Sequence, residues 1–155
     1  MSTPDERLAE LGLTLPSDTP PLAAYVPAVR TGNLVYTSGQ LPRIDGKLTC
    51  IGRLGDDVTV AQGYEAARVC ALNALAVLKA ELGSLDRIER IVTVTGFVAC
   101  VPEFMEQPAV VDGASHVLHD VFGDAGRHTR SAIGVAALPR RGAVEIEVTA
   151  AIYSP

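Results

Sequence analysis

Residues 127–155 read RHTRSAIGVAALPRRGAVEIEVTAAIYSP, and the periodicity of this stretch decides the fold class. Two extended runs, SAIGVAAL and AVEIEVTAAIY, flank PRRG, so the stretch is expected to form a sheet hairpin. In the second run Val144, Ile146 and Val148 alternate with Glu145, Glu147 and Thr149, which is the period of a strand. One face is apolar, and the other is polar without being charged throughout. Arg130 stands just before the first run. An acid on such a sheet face needs a partner or a functional reason.

Working outward, residues 59–82 (TVAQGYEAARVCALNALAVLKAEL) carry the clearest helical signal. Thr59 can cap the start, Gly83 can end it, and Ala67, Cys70, Ala71, Ala74, Leu75 and Leu78 form an apolar stripe. The stripe is rich in alanine, which allows close approach to a sheet. Residues 90–100, RIVTVTGFVAC, are dense in β-branched side chains and predict a central strand. A second helix is expected over 107–122, with Pro102 and Pro108 bracketing its approach and Gly123 ending it. Asp112 and Ser115 either cap or begin that helix, or face a cleft. Upstream, Thr31-Gly32-Asn33 marks one hairpin and Asp45-Gly46 a turn into a third short run near 47–51. The order β-β-(β)-α-β-α-β-β predicts an α+β sandwich, two helices on one face of a mixed sheet. The other face is left for solvent or another subunit. Residues 1–20 hold a short helical candidate, PDERLAELG, and a proline-rich connector, LPSDTPP; residues 21–155 read as one domain.

The bulk numbers exclude several classes. The chain has 155 residues, 48% apolar and 20% charged, enough for one domain with a real core. Its net charge of -5 argues against a nucleic-acid surface, which needs a clustered basic patch. The pair Arg140-Arg141 reads as a solvated turn. No stretch is long and apolar enough to span a bilayer, and no secretory leader is visible. Cys50, Cys70 and Cys100 are scattered, as free thiols of a reducing compartment would be, and lack zinc-site spacing. A cytoplasmic location is expected.

The order Arg130-Ser131, Leu138-Pro139 and Val144-Glu145-Ile146-Glu147 resembles the C-terminal signature of the RidA family, also called the YjgF or L-PSP family. Tyr25, Gly32-Asn33-Leu34-Val35 and Thr37-Ser38-Gly39-Gln40 match its N-terminal blocks, so the likeness covers about residues 20–153. The resemblance implies a chorismate-mutase-like subunit in a homotrimer with clefts between subunits. It also implies hydrolysis of reactive enamine or imine acids, such as 2-aminoacrylate, to the 2-keto acid and ammonia. By the same resemblance Arg130 pairs with the substrate carboxylate, and Glu145 positions the attacking water. Tyr25, Ser38 and Gly39 would line the pocket. The chain departs from the deaminase pattern at Ala132, where those members usually have cysteine. GRHTRS and DGASHVLHDVFG also replace the usual segments.

The residue chemistry fits that expectation. A guanidinium offers a rigid fork to a planar carboxylate and stays charged at any working pH. Imine hydrolysis needs a positioned water and a proton relay, with no metal or organic cofactor. His128, two residues before Arg130, shares its side of an extended segment and is a candidate proton-transfer group. The alternative roles are an ordinary salt bridge for Arg130, an interface acid for Glu145, a surface histidine for His128, and packing for Tyr25 and Ser38. A non-catalytic trimer that binds a small acid or a protein partner is the competing function. Ribonuclease activity is disfavoured by the acidic composition and the lack of a strong histidine pair. His116, His119 and Asp120 read as structural or exposed.

Overall fold

The computed structural model of the protein describes residues 1–16 and 23–154; the connector positions from 17 to 21 lie outside the described residues. In chain order the elements are α1 (Pro4–Glu10), β1 (Ala28–Thr31), β2 (Leu34–Thr37), β3 (Arg43–Ile44) and β4 (Lys47–Leu48). There follow α2 (Val60–Leu82), β5 (Ile88–Ala99), α3 (Gln107–Phe122), β6 (Thr129–Val135) and β7 (Val144–Ile152). Five strands form one mixed sheet in the order β1-β2-β7-β5-β6, and β3 and β4 form a separate ribbon. This is the expected α+β sandwich, with α2 and α3 on one face.

The long helix begins and ends where its chemistry dictates. Thr59 and Gln62 form a reciprocal capping box, and Gly83 closes α2 in the left-handed region at φ 85°. The alanine-rich stripe from Ala67 to Leu78 is fully buried. Helices α2 and α3 approach so closely that a Cβ on Gly113 would overlap the backbone carbonyl of Tyr64. Pro108 lies inside the first turn of α3 rather than before it, where a missing N–H is tolerated.

The expected C-terminal hairpin is not formed. β5 lies between β6 and β7, parallel to the first and antiparallel to the second. The reason is the crossover: α3 carries the chain back before β6 begins, so β6 must run parallel to β5. Residues 136–143 then pass over the end of β5, with Arg140 and Arg141 both in the left-handed region. Arg140 and Arg141 are exposed, as expected of a turn.

Register fixes which side chains share a face. Val144, Ile146, Val148, Ala150 and Ile152 point into the core beneath the helices. Glu145, Glu147 and Thr149 point to the open face, together with Phe97, Tyr36 and Ile133. At the N-terminus, Thr3 and Glu6 form a second capping box and Leu8 is buried in the core. The Asp5 carboxylate accepts from Lys79 Nζ at 2.8 Å, Ser84 Oγ at 2.6 Å and the Leu85 N–H at 3.2 Å. These bonds tie α1 to the end of α2. No helix of the described residues is long and apolar enough to cross a membrane.

Candidate functional site

The sheet divides the expected site residues into two groups. Arg130 is registered opposite Val94, a core residue, so its side chain leaves the helix face of β6. Glu145 is registered opposite Phe97 and leaves the open face of β7. Within one chain, Arg130 and Glu145 therefore stand on opposite faces of the same sheet.

On the helix face, Arg130 meets α3. Its Nη1 donates to Asp112 Oδ1 at 2.7 Å and to Ser115 Oγ at 3.1 Å, and Nη2 donates to the Pro108 carbonyl at 3.4 Å. Among the described residues Nε has no acceptor, so the edge formed by Nε and Nη2 retains free donors. Asp112 and Ser115 lie well inside α3 and cap nothing; their three-residue spacing puts both on the side facing Arg130. The Arg130–Asp112 contact was not anticipated from the sequence. The signal available for it was that helical spacing opposite a strand-borne arginine.

His128 joins the same cluster. One ring nitrogen, Nδ1, lies 2.6 Å from the Gly126 carbonyl, and Nε2 lies 3.0 Å from Ser115 Oγ. Burial holds its pKa below the ordinary imidazole value; the Gly126 hydrogen bond opposes this and the Arg130 charge adds to it. His128 and Arg130 thus meet on one hydroxyl. Beside them lies an open depression of about 510 Å³, lined also by Asp112, His116 and His119. Both of those histidines are engaged. His116 Nδ1 bonds the Tyr64 hydroxyl at 2.7 Å, and His119 Nδ1 bonds the Gly123 carbonyl at 3.1 Å.

On the open face, Glu145 is half-buried. Burial raises its carboxyl pKa, the neighbouring Glu147 raises it further, and Arg43 partly offsets both. Gly39 packs directly on this side chain: a Cβ there would lie 2.8 Å from Cδ of Glu145 and overlap its carboxylate oxygen. Ser38 Oγ donates to the Val26 carbonyl at 2.7 Å, which ties the exposed Tyr25 segment to the end of β2. Ser38, Gly39 and Glu145 are therefore gathered around the β2–β7 junction, away from Arg130. Among the described residues, no group of three or more His, Cys, Asp or Glu is placed to hold a metal ion.

Residues 5–150 match the family model described as "YjgF/chorismate_mutase-like, putative endoribonuclease". The chain belongs to the YjgF/RidA family. Protein TCP17 of Trypanosoma cruzi is 44% identical over 141 residues, which cover 90% of this chain and 88% of that one. Atu1372 of Agrobacterium tumefaciens, a protein of unknown function, superimposes with a TM-score of 0.90 at 47% identity over 98% of this chain and 94% of its own. A more distant solved structure, E. coli TdcF with bound serine, aligns with a TM-score of 0.62 at 26% identity over 90% and 94% of the two chains. In this YjgF/RidA chain Arg130 carries an internal carboxylate partner. Any further acid must therefore bind its remaining donors beside Asp112, not a bare guanidinium.

Proposed function

We propose that this protein hydrolyses small, reactive 2-imino (enamine) carboxylic acids to the 2-keto acid and ammonia, in the cytoplasm and in clefts between the subunits of a homotrimer. The observation that carries the reading is the paired arrangement at Arg130. The guanidinium keeps free donors at Nε and Nη2, while Asp112 holds it from the other side and supplies a negative charge nearby. A 2-imino acid has the matching pair of features, a carboxylate for the fork and a cationic nitrogen for the acid. A relative solved with bound serine, itself a small amino acid, supports the same ligand class.

In this reading Arg130 holds the substrate carboxylate and His128 handles a proton on the same side of the sheet. Glu145 from a neighbouring subunit places the attacking water. Tyr25 and Ser38 line the cleft, and Gly39 leaves room for the Glu145 carboxylate. The test is ammonia release from freshly generated 2-aminoacrylate and bulkier 2-imino acids, each compared with its spontaneous rate. Native protein accelerates the reaction, and Arg130→Ala abolishes both the acceleration and the binding of unreactive 2-keto acids. Equal rates with and without a well-folded native protein would refute it.

The ion pair to Asp112 also favours a second reading, a non-catalytic trimer that binds a small acid or a protein partner, with Arg130 as a structural residue. Turnover separates the two.

A further inference from the structure

Both ring nitrogens of His128 are occupied. The Gly126 carbonyl beside Nδ1 can only accept, so Nδ1 carries the proton and donates across 2.6 Å. Nε2 is then the lone-pair nitrogen, and the Ser115 hydroxyl at 3.0 Å must donate to it. Ser115 Oγ in turn accepts from Arg130 Nη1 at 3.1 Å, which leaves one lone pair on Oγ. The hydrogen bonds run one way, from Arg130 through Ser115 and His128 to Gly126. His128 offers no free lone pair to the depression, so a proton reaches it only by way of Ser115.

We propose that Ser115 is the catalytic group that takes the proton of the attacking water, which Glu145 places at the Arg130 site, and that His128 acts as a positioning base solely through the Ser115 hydroxyl. This rests on the imine-hydrolysis reading above and gives it a proton acceptor on Arg130's own face of the sheet. The water oxygen bonds to C2 of the iminium acid, and the C=N π electrons move to nitrogen. The water proton passes to Oγ as the hydroxyl proton passes to Nε2, giving a neutral carbinolamine and an imidazolium. The imidazolium returns its proton through Ser115 to the amine nitrogen. The C–N bond then breaks with its electron pair leaving on ammonia, the carbinol oxygen closes the carbonyl, and its proton goes back along the relay. That last proton leaves on ammonia as ammonium, and His128 is neutral again.

The charged and titratable groups around His128 are Arg130 on β6, Arg127 before it, and Asp112, His116 and His119 on α3. Arg130 opposes protonation of His128, and so does burial. The relay therefore stays open into mildly acid solution and closes as His128 takes up a proton.

The experiment measures ammonia release from 2-aminoacrylate between about pH 5 and about pH 9 for native protein, Ser115→Ala, Ser115→Thr and His128→Gln, with calorimetric binding of 2-oxobutyrate alongside. Ser115→Ala and His128→Gln are each expected to lower kcat on the order of 100-fold and to leave 2-oxobutyrate affinity within about threefold, because neither removes the Nε–Nη2 fork. Ser115→Thr restores most of the rate. The acid limb of the native kcat/KM profile vanishes in His128→Gln. Native kcat in Ser115→Ala, or an unchanged acid limb in folded His128→Gln, overturns the relay while imine hydrolysis stands. A native protein that fails to accelerate any imine overturns the function and the relay together.

Discussion

Glu145 is a side chain whose charge works against the fold. Its folded pKa is raised by burial first and by Glu147 second. A carboxyl of this kind favours the fold fully below its unfolded pKa, and that contribution is lost as pH rises through the folded value. Glu145→Gln is therefore expected to raise stability at neutral pH by on the order of 0.5–1 kcal/mol. The gain shrinks toward zero in acid, where the native residue is protonated as well; urea unfolding of both proteins at neutral and acid pH checks this. The same variant should lose imine hydrolysis, since an amide cannot place water as a carboxylate does. Gly39→Ala makes the complementary case. The new methyl group meets the flexible end of Glu145, which swings away, so stability falls by only about 1 kcal/mol while activity falls with the displaced carboxylate. A thermal melt beside an ammonia assay separates the two effects. The sequence marked Glu145 through its alternation with core residues, and the family resemblance marked both Glu145 and Gly39. Neither could mark the contact between them, because that depends on how β2 meets β7.

Among the elements, the helices were legible and the strand pairing was only partly so. Thr59, Gly83 and the Ala67–Leu78 stripe located α2, and Gly123 located the end of α3, because caps and periodicity are local signals. The position of β5 between β6 and β7 is a non-local choice set by the α3 crossover, and nothing within residues 127–155 encodes it. The close crossing of α2 and α3 belongs to the same class. Gly113→Ala drives a methyl group into the Tyr64 carbonyl, which is backbone and cannot rotate away. A loss of about 2–3 kcal/mol is expected, together with displacement of Asp112 from Arg130; chemical denaturation and acid-binding calorimetry report the two. The docking of α1 has a different origin. Burial pushes the Asp5 carboxyl up, but Lys79, Ser84 and the Leu85 N–H together hold it below the ordinary carboxylate range. Its stabilisation is therefore present at neutral pH and lost as pH falls through the lowered folded value. Asp5→Asn should lower stability by about 1–2 kcal/mol at pH 7, with native and variant converging in acid.

At the scale of the whole molecule, the proposed chemistry turns on assembly. Arg130 faces the helices and Glu145 faces away from them, so a single subunit cannot direct both at one bound acid. The open face that carries Glu145 also exposes Tyr36 and Ile133, with Phe97 half-buried between their strands. An apolar face of this kind is suited to burial against another copy. If clefts of a ring-shaped trimer take Arg130 from one chain and Glu145 from the next, two inactive variants should repair each other. Arg130→Ala and Glu145→Ala, each inert alone, are expected to recover activity when unfolded together and refolded as an equal mixture. Random assembly leaves about a quarter of the clefts with both residues intact, so the mixture should reach about a quarter of native activity. A mixture as inert as its components, from particles of trimer mass by analytical ultracentrifugation, would refute a cleft that takes Arg130 from one chain and Glu145 from the next.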